Sequence, residues 1–171
     1  MEYINIHQSR RNFLRGRGKS RPSVRPPWAV EESQFLQGCT RCDKCIKICP
    51  EAIIVRGDGG FPIVRFDLGE CTFCEKCIQS CPDGVLVKQD GFGPWKHKVE
   101  IQKSCIVYKG VVCMTCRDQC EPRAIEFPLV SGPLRLPVLN AELCNGCGAC
   151  IRPCPSEAIQ IVGWYCDFFY M

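Results

Sequence analysis

The stretch Cys39-Thr40-Arg41-Cys42-Asp43-Lys44-Cys45-Ile46-Lys47-Ile48-Cys49-Pro50 decides how the rest of the chain is read. Its spacing returns at Cys71, Cys74, Cys77 and Cys81 before Pro82, and again at Cys144, Cys147, Cys150 and Cys154 before Pro155. Between these lies a variant, Cys105-x7-Cys113-x2-Cys116-x3-Cys120, followed by Glu121-Pro122. The flanks repeat too. Short alternating segments, Phe61 to Phe66, His97 to Ile101 and Leu136 to Leu139, precede the second, third and fourth units. An apolar pair follows each motif: Ala52-Ile53, Gly84-Val85, Ala124-Ile125 and Ala158-Ile159. Such a unit reads as strand, cysteine loop, one or two helical turns, strand. Before Cys39 the stretch Glu31 to Leu36 has a helical pattern, so the first unit is expected to lack its leading strand.

Three cysteines separated by two residues can wrap a tight loop around three corners of a small inorganic cube. The fourth, three residues on, starts a short helix and points away. That geometry suits [4Fe–4S] clusters, and the sixteen motif cysteines would hold up to four of them. In two-cluster bacterial ferredoxins the fourth cysteine ligates the other cluster, and the proline turns the chain outward. Motifs with crossed ligation work in pairs. Zinc is the competing reading, but a zinc site has no use for a third evenly spaced cysteine or for a fourth just before proline. In the third motif Cys105 is stranded, and the loop Ile106 to Val112 must fold back. A [4Fe–4S] site is the better reading there, and a labile or differently ligated site the alternative. Cys166, without companions, reads as a plain thiol.

The expected fold is α+β: tandem bacterial-ferredoxin-like units, with short antiparallel strands and short helices packed around the clusters. Motifs one and two would form one pair over residues 31–90, and motifs three and four another over 91–171. Under this neighbour pairing Cys49 and Cys81 exchange across one pair, Cys120 and Cys154 across the other. Nested pairing, first with fourth and second with third, stays open. A unit of about 35 residues cannot bury a self-sufficient core, so metal should carry much of the folding free energy.

Seventeen cysteines in 171 residues imply either a disulfide framework or metal. No apolar stretch follows the charged start, and no window approaches the roughly 20 apolar residues of a membrane span. The chain therefore reads as soluble and cytoplasmic, where thiols stay reduced. The net charge of +4 hides an asymmetry: residues 1–30 hold a local +6, leaving −2 on the remainder. This first segment, rich in Arg, Gly, Ser and Pro, reads as a basic flexible arm. It carries no nucleic-acid-binding motif. His7 and His97 are the only histidines, both read as ordinary polar residues, and no phosphate loop is present. An enzyme is not expected. Ser9-Arg10-Arg11-Asn12-Phe13-Leu14 looks like a twin-arginine export motif without its apolar segment, and a docking role for it stays open.

Several of these features resemble one family. They are Ser9 to Gly16, then Arg25-Pro26-Pro27-Trp28, Cys39-Thr40-Arg41-Cys42, the irregular Cys105 unit with Cys120-Glu121-Pro122, and Cys144-Asn145-Gly146-Cys147-Gly148-Ala149-Cys150. The chain resembles the NapF family, ferredoxin-type accessory proteins of periplasmic nitrate reductase systems. The resemblance implies a cytoplasmic protein that contacts the precursor of the molybdenum-containing catalytic subunit before export. It also implies a role in that subunit's maturation, through electrons or cluster assembly, with the sixteen motif cysteines as ligands. An electron-transfer subunit between a donor and a reductase complex is the alternative, and a redox sensor with a labile third site a weaker one.

Overall fold

Closely spaced cysteine loops leave room for little more than one helical turn or a three-residue strand between them. The computed structural model, which describes residues 23–89, 91, 93–129 and 135–162, has elements of that size. In order they are α1 (Glu32–Gly38), α2 (Lys44–Ile48), β1 (Ile54–Arg56), a 3₁₀ turn (Asp58–Gly60), β2 (Pro62–Val64) and α3 (Lys76–Gln79). The second half continues with β3 (Lys98–Ile101), a 3₁₀ turn (Ile106–Lys109), α4 (Thr115–Asp118), β4 (Ile125–Glu126), β5 (Val138–Leu139) and β6 (Ile159–Val162).

The strands form antiparallel two-stranded ribbons. Ile54 of β1 lies opposite Val64 of β2, Ile125 of β4 opposite Leu139 of β5, and Ile101 of β3 opposite Ile159 of β6. In the second half the ribbons nest, β4–β5 joining the middle of the segment and β3–β6 its ends. The first half keeps the inner ribbon but puts helix α1 before Cys39. A short extended piece substitutes for the outer strand: Ala29 bridges Leu86, the Val30 amide donates to the Val85 carbonyl at 3.0 Å, and the Val87 amide to that of Trp28 at 2.8 Å. These are mixed short helices and strands of ferredoxin type.

Residues 23–30 correct the reading of the first thirty residues as a flexible arm. Val24 bridges Val64, and Val24, Pro26 and Trp28 are buried. Arg25 supplies the reason. Its Nε and Nη2 donate to both carboxylate oxygens of Glu32, at 2.9 and 2.7 Å, and Nη1 donates to the Pro62 carbonyl at 3.2 Å. Its guanidinium also lies 5.0 Å from the centre of the Phe35 ring. Composition counts such a charge as solvent-seeking, whereas a paired and stacked arginine docks the chain it belongs to. Residues 1–22, with His7 and the Ser9–Leu14 segment, lie outside the described residues, as does Cys166.

Two apolar cores result. One gathers Phe35, Ile53, Ile54, Val64, Phe66 and Leu86, and the other Val99, Val107, Ile125, Phe127 and Ile159. Ile151 and Ile161 pack against both, so the halves are joined. Cysteines are themselves core residues: Cys77 in the first, and Cys105, Cys116, Cys144 and Cys150 in the second. No helix among the described residues is long and apolar enough to cross a membrane.

Candidate metal centres

Each regular motif uses the same backbone device. The residues on either side of its second cysteine are left-handed: Arg41 and Asp43 (φ 59° and 61°), Phe73 and Glu75 (54° and 59°), Gly146 and Gly148 (76° and 81°). Two such reversals close the loop and gather three thiols on one side. Left-handed backbone costs a non-glycine residue about 1–2 kcal/mol, so these conformations persist because the loop imposes them. A further left-handed residue stands three positions after every fourth cysteine: Ala52, Gly84, Arg123 and Glu157. There the chain turns from the loop toward its next extended segment, and two amides aim at sulfur. Ala124 N donates to Cys120 Sγ at 3.2 Å and Ala158 N to Cys154 Sγ at 3.4 Å.

The structure brings all sixteen motif cysteines together in four sets of four. Cys39, Cys42 and Cys45 line one space with Cys81. Cys71, Cys74 and Cys77 line one with Cys49. Cys105, Cys113 and Cys116 line one with Cys154, and Cys144, Cys147 and Cys150 one with Cys120. Each fourth cysteine thus stands with the first three of its neighbour, first motif with second and third with fourth. The nested alternative does not occur.

These spaces fit a polynuclear iron–sulfur group. Each is lined by four thiols, with apolar residues such as Phe35, Ile53, Phe127 and Val99 in the wall and a few charged residues, such as Asp43, Asp83 and Glu75, at its edge. The thiols stand around a volume rather than at a point, and among the described residues no three His, Cys, Asp or Glu are grouped as for a single ion. When bound there, a [4Fe–4S] cluster supplies one-electron redox chemistry. A groove between residues 23–34 and 87–97 is lined by no cysteine.

Burial, reinforced by neighbouring thiols, pushes Cys45, Cys71 and Cys150 up to about 12 and Cys77 and Cys116 to about 11. These five thiols are therefore protonated at neutral pH in the metal-free chain, and loading must displace their protons. The neighbours acting on Cys45 include Cys77 of the second set, and those on Cys150 include Cys116 of the third. Helix α2, which carries Cys45, packs on α3, which carries Cys77.

The third set differs from the others. Neither Val112 nor Met114, flanking Cys113, is left-handed; Met114 has φ −132°. Cys105 instead reaches the site across the 3₁₀ turn Ile106–Lys109, whose continuation leaves Val111 and Val112 exposed.

Sequence reasoning missed the residues that cover the fourth loop. His97, read as an ordinary polar residue, is 3% exposed, and its Nε2 lies 3.1 Å from the Gly146 carbonyl, to which it donates when protonated. Burial lowers its pKa to about 4, helped by the Lys98 ammonium and opposed by that carbonyl. The only available signal was its place at the head of a strand among aromatics.

The 4Fe-4S dicluster domain family matches residues 38–85 and the 4Fe-4S binding domain family residues 137–160; neither stretch includes the irregular third motif. Ferredoxin-type protein NapF of Haemophilus influenzae is 45% identical over 163 residues, covering 89% of this chain and 92% of that protein. NapF of Escherichia coli K12 is 46% identical over 163 residues, covering 91% and 95%. Methylamine utilization ferredoxin-type protein MauM of Methylorubrum extorquens is 28% identical over 149 residues, covering 77% and 68%. The chain carries multiple [4Fe–4S] clusters. With that identity over nine-tenths of its length, it belongs to the NapF family of ferredoxin-type iron–sulfur proteins.

Proposed function

We propose that this chain is a cytoplasmic polyferredoxin with four [4Fe–4S] clusters that assists maturation of the catalytic subunit of periplasmic nitrate reductase before its export. Two ferredoxin-like pairs, residues 31–90 and 91–171, would hold the clusters in the crossed sets just described. The assistance would take the form of electrons or of help in assembling the subunit's own cluster. The observation that carries the reading is near-full-length similarity to NapF in a chain whose four cysteine-lined spaces match its four motifs. Sixteen free thiols among the described residues suit a reducing compartment, which supports the location.

The second reading, an electron-transfer subunit between a donor and a reductase complex, draws on the packing of the sites against one another. Anaerobic capture with tagged full-length chain separates the two. Recovery of the cytoplasmic precursor of the reductase supports maturation. Recovery of only the mature complex supports electron delivery and overturns the first reading.

A further inference from the structure

Two cysteine loops from opposite halves meet directly. The main-chain amide of Cys71, in the second set, donates to the carbonyl of Cys147, in the fourth, at 2.9 Å. Residues on both sides of Cys147 are bare because aromatic rings lie on them, His97 from the same half and Phe66 from the other. A Cβ added at Gly146 would come within 3.0 Å of the His97 ring, and one at Gly148 within 2.0 Å of the Phe66 ring. The rings themselves form a packed row. Phe66 and His97 centroids are 5.8 Å apart, His97 and Trp95 4.9 Å, and Trp95 and Phe73 5.8 Å. Phe73 lies between Cys71 and Cys74, so the row runs from the second loop to the fourth. Within each half the sets are tied together: α2 and α3, which carry Cys45 and Cys77, pack on each other, and one short stretch holds Cys116 of the third set and Cys120 of the fourth.

We infer that the four sites form one electron conduit in the spatial order first, second, fourth, third, its halves joined at the Cys71–Cys147 contact. Its ends are the first set and the irregular third set. Electron transfer weakens steeply with distance and with gaps between packed atoms, so a main-chain hydrogen bond between two ligand residues is the shortest available bridge. The donor is a low-potential one-electron carrier. Passage of one electron leaves it oxidised by one and the final acceptor reduced by one, with no bond made or broken at the cysteines. The inference rests on the four-cluster occupancy proposed above and not on the maturation role.

The test is EPR of the anaerobically purified full chain during stepwise reduction with dithionite, beside iron and sulfide analysis. Full reduction is expected to show spin relaxation in each pair accelerated by the other, beyond the coupling inside a pair. Phe66→Ala, which opens a hole against Gly148, is expected to lose the part that crosses between halves while keeping its iron. Should it fail to hold clusters, Trp95→Ala, in the same aromatic row, reads the same loss. About sixteen irons per chain with two magnetically isolated pairs overturns the conduit and leaves the four-cluster reading standing. Iron well below sixteen in the unmodified chain overturns both.

Discussion

Phe66 packs against Gly148, so close that a single methyl group on that glycine would fall 2.0 Å from the ring. Gly148 is left-handed as well, at φ 81°. Gly148→Ala therefore meets a steric clash and a backbone penalty together. The expected loss is about 2–4 kcal/mol of stability in the loaded protein. Gly110→Ala is the control: it shares the left-handed backbone but has nothing within 4 Å of its new methyl, and should cost only about 1 kcal/mol. Thermal denaturation of both variants under anaerobic conditions measures the difference.

Crossed placement of the fourth cysteines has a spectroscopic consequence. Cys154→Ala should abolish the same cluster as Cys113→Ala, since both residues face one space, and not the cluster lost in Cys150→Ala. Each variant is expected to lose about four irons. Matching difference EPR spectra for Cys154→Ala and Cys150→Ala would show that the motif keeps its own fourth ligand.

Removing the metal should unfold most of the chain. Five of the sixteen motif cysteines are core residues, the strands are two to four residues long, and the spaces between thiols are filled only by what binds there. Iron chelation under reducing conditions is expected to erase the cooperative circular dichroism transition. A native-like melt of the metal-free chain would contradict this.

His97 sets an acid-side weakness. Its folded pKa of about 4 lies below the ordinary 6.5, so the unfolded chain binds the proton first as pH falls. Stability is unaffected above about 6.5, declines between that value and 4, and has lost its full share below 4, on the order of 3 kcal/mol. His97→Phe preserves a ring in the aromatic row and cannot titrate. Its melting temperature should fall less than that of the unmodified chain between pH 7 and 5.

Arg25 anchors residues 23–30. Arg25→Ala is expected to cost about 1–2 kcal/mol, the lower part of the range for charged hydrogen bonds because Glu32 is half exposed. Arg25→Lys should not restore it, since an ammonium cannot reproduce the two-pronged contact with Glu32. Protease sensitivity of the peptide bonds around Ser23 reports the release of the segment.

The repeat and its elements were legible because cysteine spacing is a local property. Helix α1 and strands β2, β3 and β5 fall where the alternating and helical patterns put them. Motif pairing was read as neighbour with neighbour, but with 21, 23 and 23 residues between successive motifs chain length alone did not exclude nesting. The packing of α2 on α3 and the placement of each fourth thiol decide it. The docking of residues 23–30 was hidden for another reason. Arg25 acquires its partners, Glu32 and the Pro62 carbonyl, only once the chain has folded. Phe66 and His97 looked like parts of their own strands, and their role belongs to glycines some fifty to eighty residues further on.

A fourth cysteine that serves its neighbour also constrains how such a chain can change length. Deleting one motif would strip three thiols from one site and one from another, leaving two damaged centres in place of one missing centre. The smallest piece that can be gained or lost intact is therefore a pair of motifs. Duplication and deletion that respect this boundary yield chains with two, four or six motifs, and odd numbers carry a defect wherever the leftover motif lies.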